Sequence, residues 1–171
     1  GAVVHVSPEA TRVHRYYDPL NVPRQPRASP EEYIREVDRL LEDACRRYRD
    51  GAHNAGVLLS GGLDSPNLAA RLLRGQPPTR PLHAFTYVPL EGHGQPEIPG
   101  GLADEGPAVR AFCAMHPQIE PHFVDNAEFE FDHRFEDMFQ AMGTATVNLA
   151  AFFRYNGIFL AAREAGCDMV L

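Results

Sequence analysis

The 171-residue chain contains no lysine; all 16 of its basic residues are arginine. That excludes the Walker phosphate loop, whose Gly-x-x-x-x-Gly-Lys-Ser/Thr pattern needs a lysine to reach the phosphates. Long apolar runs are also missing. No stretch approaches the roughly 18 residues of a membrane-crossing helix, and no basic-then-apolar leader is visible, so neither a membrane span nor a signal peptide is expected. Positive charge is scarce as well. A net charge of −7 and a pI near 5.6 argue against general nucleic-acid binding, which needs a basic face. The cysteines number only three, Cys45, Cys113 and Cys167, too far apart for a metal site, and are expected as buried free thiols in a reducing cytoplasm. The eight histidines show no H-x-x-H spacing, and His83 reads as a packed residue before a ligand.

What the chain does have is a strand, a glycine turn and a helix start in immediate succession. Ala55 to Leu59 reads as a buried strand. Ser60-Gly61-Gly62 follows as a tight turn, and Leu68, Ala69, Leu72 and Leu73 then recur at helical spacing until Gly75. Such a junction suits phosphate. Glycine lets the backbone approach an anion, and the first N–H groups of a helix have no partner of their own. Ser60 and Ser65 add hydroxyl donors. Asp64 would repel phosphate directly but is suited to hold Mg²⁺, which prefers carboxylates together with phosphate oxygens. A bare Gly-Gly turn would equally serve geometry alone; the order of all six residues carries the ligand reading.

That order, Ser60-Gly61-Gly62-Leu63-Asp64-Ser65, resembles the pyrophosphate loop of the N-type ATP pyrophosphatase superfamily, whose members split ATP into AMP and pyrophosphate to adenylate a substrate. Within it the chain is similar to the synthetase domain of glutamine-hydrolysing asparagine synthetases and to their relatives, the β-lactam synthetases and lasso-peptide cyclases. The likeness runs loosely from Tyr16 to Leu171. It takes in the Tyr16-Tyr17-Asp18-Pro19 linker, the helix before the loop, the strand His83 to Tyr87, the Asp104-Glu105-x-x-Ala108 helix start and the closing Met169-Val170-Leu171.

The remaining chain fills in around this loop. Val3–Val6 and Val13–Tyr17 read as a hairpin through Ser7-Pro8-Glu9, and the proline-rich stretch from Asp18 to Arg27 reads as an extended linker. Ser29-Pro30-Glu31-Glu32 starts a helix that Gly51 stops, with Tyr33, Ile34, Val37, Leu40, Leu41, Ala44, Cys45 and Tyr48 on one face. Pro81 to Val88 is a second buried strand, so a parallel βαβ unit is expected, with ligands beyond the carboxyl ends of its strands. Tyr87 lies there and either flanks an adenine ring or only packs. Pro89 to Leu102 reads as a flap near the nucleotide or a disordered loop. Asp104 and Glu105 serve either the first turn of a helix or a metal. Ile119 to Val124 is a third strand. Phe131, Phe135, Met138, Phe139 and Met142 mark a helix with a core-facing aromatic stripe. A polar loop leads to a helix from Leu149 to Ala165, capped by Gly166, and a fourth strand begins at Asp168.

The expected fold is α/β: a three-layer parallel sheet with helices on both faces, of the adenine nucleotide alpha hydrolase-like kind and incomplete at the C-terminus. Residues 1–28 are expected to be the end of a β-rich domain plus linker, and 29–171 the first half of a synthetase domain. The resemblance implies ATP and Mg²⁺, with Leu59, Ser60, Gly61, Gly62, Leu63, Asp64, Ser65 and Tyr87 binding the nucleotide and Asp64 the metal. It implies a cytoplasmic, ATP-dependent carbon–nitrogen ligase that adenylates a carboxylate and passes it to an amine such as glutamine-derived ammonia, with a homodimer by analogy. The family's second acidic glycine motif and active-site lysine do not occur in these residues, so the 171 residues alone are expected to be inactive, and no catalytic residue is assigned. Two departures stand out. Pro66 replaces a serine after the loop, and the family's Asp-Glu-Pro segment is replaced around Met142 to Val147. The alternatives are accordingly a β-lactam-synthetase-like or cyclase-like amide-bond enzyme, and a nucleotide-binding module without catalysis.

Overall fold

The computed structural model describes residues 1–24, 26–74, 80–92, 104–144 and 148–171. Gly75, which was expected to end the loop helix, residues 93–102 of the expected flap and residues 145–147 of the polar loop lie outside the described residues. The chain divides into two compact units, Gly1–Asp38 and Arg39–Leu171.

In the first unit β1 (Ala2–Val6) and β2 (Thr11–Arg15) pair antiparallel, with Val4 opposite Val13. Ser7 closes the turn: its N–H donates to the Ala10 carbonyl at 2.9 Å, and its Oγ accepts the Ala10 N–H at 3.2 Å. The second strand stops at Arg15 rather than Tyr17, because Tyr16 and Tyr17 both turn their N–H groups to the Gly1 carbonyl. The linker is not wholly extended. Pro19–Asn21 form a 3-10 turn whose Leu20 N–H is capped by Asp18 Oδ1 at 3.1 Å.

Helix α1 (Pro30–Gly51) spans the division between the units. Its start follows the capping pattern in the sequence. Ser29 Oγ accepts the Glu32 N–H at 3.4 Å, and the Glu32 carboxylate reaches back to accept the Ala28 N–H at 2.8 Å. The apolar face is buried only in part. Cys45 is 2% exposed and Tyr48 packs beside it, but Tyr33, Ile34, Val37 and Leu40 are all at least 50% exposed. Within the second unit, the last turns of the helix pack against the sheet through Cys45 and Tyr48.

The second unit is the expected α/β sandwich. Strands β3 (Ala55–Leu58), β4 (Leu82–Tyr87), β5 (Ile119–Val124) and β6 (Met169–Val170) form one parallel sheet in the order β5-β4-β3-β6. Helices α2 (Asp64–Leu73), α3 (Gly106–Met115), α4 (Phe135–Met142) and α5 (Leu149–Glu164) connect them. Side-chain alternation along the strands separates the two faces. Val57, Leu59, Leu82, Ala84 and Ile119 pack with Cys45 of α1, Ala69 and Leu72 of α2, and Val109 and Cys113 of α3. Leu58, Phe85, Tyr87, Val124 and Val170 pack instead with Ile158 and Ala162 of α5. Because both faces are covered, β3 and β4 carry near-continuous apolar runs, which is why they are readable as buried strands. Pro121 is tolerated because β5 is an edge strand.

The aromatic stripe departs from expectation. Residues 131–134 are turns, Arg134 adopts a left-handed φ of 59°, and the helix starts only at Phe135. No residue of α4 is fully buried. Phe135 and Phe139 lie against Phe152 of α5, with ring centroids 5.5 and 5.0 Å away, while Phe131 and Met142 are each 53% exposed. The stripe is a contact with one helix rather than part of the core. Gly166, at φ 75°, ends the α5 region as anticipated. Asp168 then clasps the start of β3, accepting the His53 and Asn54 N–H groups at 2.8 and 2.9 Å. The bond from Asn54 and then that from His53 hold its carboxyl below the usual carboxylate range. All three cysteines are free, and burial pushes each thiol up. No helix among the described residues is long and apolar enough to cross a membrane.

Candidate functional site

The carboxyl end of β3 is tied firmly to β4. The Leu59 N–H donates to the Phe85 carbonyl at 2.9 Å, and the buried Thr86 hydroxyl donates to the Leu59 carbonyl at 2.8 Å. From this anchor the chain turns through Ser60-Gly61-Gly62-Leu63 into α2. Two serines hold the turn closed. Ser65 Oγ accepts the Ser60 N–H at 2.9 Å and lies 2.9 Å from Ser60 Oγ, which in turn accepts the Gly62 N–H at 3.3 Å.

Helix α2 begins at Asp64, and no side chain caps it: Leu63 occupies the cap position and is 90% exposed. Pro66 has no N–H. Among the described residues the Asp64 and Ser65 N–H groups are therefore the open donors of the first turn, at the positive end of the helix. A Cβ added at Gly62 would meet only Ser60 Oγ, at 3.5 Å, and the glycine has no left-handed φ. Neither its neighbours nor its backbone requires glycine here. Among the described residues the space at Gly62 is open, as an approaching anion needs.

Beside the loop lies a cavity of about 310 Å³. Leu58, Leu59, Ser60 and Ser65 form one wall, Phe85 and Tyr87 of β4 the floor, and Glu105, just before α3, one rim. Ala151, Arg154, Tyr155 and Ile158 of α5 close the far side. The Arg154 guanidinium stands 5.2 Å from the centre of the Tyr87 ring, a cation–π arrangement that places positive charge at the mouth. Of the residues singled out in the sequence, Leu59, Ser60, Ser65 and Tyr87 line this cavity, whereas Gly61, Gly62, Leu63 and Asp64 form the adjoining turn and helix start. Asp104 does something else. Its Oδ1 accepts the Gly106 N–H at 2.8 Å and so caps α3.

Arg154 and Tyr155 escape a reading that follows motifs, whereas Glu105 belongs to the Asp104-Glu105-x-x-Ala108 helix start. Arg154 and Tyr155 lie on a helix that is apolar on nearly every side, so no polar face advertises them. One signal was available: Arg154 is the only charged residue between Leu149 and Leu160, and a lone charge in such a segment needs a partner or a purpose.

The sequence model of the asparagine synthase family matches residues 36–171. The chain belongs to the asparagine synthase family. No curated protein matches it. The matched span takes in the last turns of α1, the Ser60–Ser65 loop, every helix lining the cavity and β6. Membership places the chain among ATP-dependent amide-forming ligases, with which ATP use and asparagine biosynthesis are associated. The residues present fit Mg²⁺-bound ATP: an uncapped helix start, an open glycine, an exposed carboxylate at Asp64 and an adjoining cavity with an aromatic wall.

Proposed function

We propose that this asparagine synthase-family chain binds ATP with its pyrophosphate portion on the Ser60–Ser65 turn and its adenosine portion in the adjoining cavity, and that it activates a carboxylate for amide formation. One observation carries the reading: the uncapped N-terminus of α2 and the Tyr87-walled cavity meet at the two serines that close the loop.

In this reading a carboxylate oxygen of the acceptor attacks the α-phosphorus of ATP. The bond from that phosphorus to the bridging oxygen breaks, and pyrophosphate leaves. Negative charge gathers on the leaving group, and the Asp64 and Ser65 N–H groups meet it with fixed dipoles that need no reorganisation. Ser60 and Ser65 hold the turn in register and offer hydroxyls to phosphate oxygens. Asp64 is the residue that would hold Mg²⁺, which neutralises phosphate charge when bound. Tyr87 and Leu59 contact the base and ribose. Arg154 balances charge at the mouth. An amine then displaces AMP from the acyl adenylate to give the amide.

The test is carboxylate-dependent exchange of labelled pyrophosphate into ATP by the native protein that carries this chain. Exchange that appears only with an added carboxylate, and is lost in Ser65→Ala, is the expected result. ATP binding without exchange across a broad carboxylate screen would leave a nucleotide-binding module. Absence of both would overturn the assignment.

A further inference from the structure

A second cluster of chemistry-bearing side chains lies away from the loop, toward the amino ends of β4 and β5. The register pairs His83 with Glu120 and Phe85 with His122. Residues two apart on a strand share a face, so His83, Glu120 and His122 all emerge on the side of the sheet covered by α5. His83 Nδ1 lies 3.0 Å from His122 Nε2. The Glu120 carboxylate straddles the pair, with one oxygen 3.7 Å from His83 Nδ1 and the other 3.8 Å from His122 Nε2.

We propose that His83, Glu120 and His122 form a zinc-class divalent cation site that staples edge strand β5 to β4. Three arguments support it. First, zinc bound at about 2.0–2.2 Å in a tetrahedron spaces its ligand atoms by about 3.3–3.6 Å; the two nitrogens stand 3.0 Å apart and one ligand atom from each of the three side chains lies within 4.8 Å of the others, so side-chain rotations without backbone movement bring all three onto one ion. Second, the donor set, two imidazoles and one carboxylate, is a zinc set and unlike the all-oxygen sets of Mg²⁺ or Ca²⁺. Third, the rings are already oriented. His83 is only 8% exposed, and His122 is stacked on Phe85 with centroids 4.7 Å apart and planes 16° apart. The Glu120 side chain is 53% exposed, which leaves the fourth position to water.

Without metal one ring donates an N–H to the other. On binding, that hydrogen moves to the donor ring's second nitrogen, both facing lone pairs turn to the cation, and no net proton is released. Nothing in this site depends on the nucleotide reading.

The experiment is a titration of the untagged chain with Zn²⁺, followed by equilibrium dialysis with metal analysis and by thermal unfolding. One equivalent per chain is expected, with a raised melting temperature because the two strands bring the three ligands together only in the folded state. His122→Gln keeps a polar, half-buried side chain, and Glu120→Gln changes an exposed one; circular dichroism verifies that both remain folded. Partners that merely support a metal ligand are worth about 10–100-fold in affinity, so losing His122 itself is expected to cost about 100-fold or more. Glu120→Gln is expected to cost at least about tenfold on the same scale. No stoichiometric zinc, or zinc binding that both variants retain at full strength, would show a hydrogen-bonded histidine pair and nothing more.

Discussion

Gly157 of α5 lies directly against the side chain of Asn126, a buried residue held at φ 58°. The Asn126 amide nitrogen donates to the Phe153 carbonyl at 2.7 Å, while its Oδ1 has no hydrogen-bond partner among the described residues. A methyl at position 157 would occupy the space of that amide. Gly157→Ala is therefore expected to destabilise the chain by about 1–3 kcal/mol, the usual cost of overpacking, as read by urea unfolding; adding Asn126→Ala should recover part of the loss, since the two residues share one contact. A neutral Gly157→Ala would show that the helix does not sit this close. Asp168 supplies a prediction in pH. Its carboxyl is held below the usual range by the Asn54 and His53 N–H groups, with the charge of His53 adding to the effect. A lowered folded-state value stabilises above the ordinary aspartate range and loses that contribution as pH falls through the folded value. Acid titration of stability should accordingly be steeper in the wild type than in Asp168→Asn. Equal slopes would remove Asp168 from the acid response.

Among the elements, α1 and α2 should respond oppositely to loss of an apolar side chain. Ile34 on α1 is 68% exposed, whereas Leu72 on α2 is 1% exposed within the main core. Ile34→Gln should change unfolding free energy of the chain by no more than about 0.5 kcal/mol, while Leu72→Ala should cost about 2–5 kcal/mol. A large effect at Ile34 would mean that the first turns of α1 are covered. This contrast also marks how far the sequence could be read. Strands β3 and β4 were legible because burial on both faces leaves an apolar run. The α1 stripe was legible as a helix, but periodicity reports which side is apolar and says nothing of what covers it. The stripe around α4 misled for the same reason: Phe131, Phe135 and Phe139 form ring contacts with α5 instead of entering the core, and Met142 is exposed. The loop was legible residue by residue, since its chemistry is local. The cavity's far wall was not, because Arg154 and Tyr155 reach it only through the docking of α5 on β4. Nor was the His83–Glu120–His122 cluster, which exists only in the register between two strands.

At the scale of the whole molecule, the parallel sheet brings the turn after β3, the end of β4 and the first turns of α5 to one place. Family membership explains why such a place exists, and the central claim is that the Ser60–Ser65 turn is where the phosphates of ATP rest. Gly62 separates a structural glycine from a ligand-facing one, because an added methyl has room and its backbone accepts any residue. The most direct measurement is calorimetric titration of Mg²⁺·ATP into the wild-type chain and into Gly62→Ala, with urea unfolding of both. The account predicts one binding site in the wild type, a loss of about tenfold or more in affinity in the variant, equivalent to about 1.4 kcal/mol, and unchanged stability. Equal affinity in a stably folded Gly62→Ala, or no ATP binding by the wild-type chain, would contradict it.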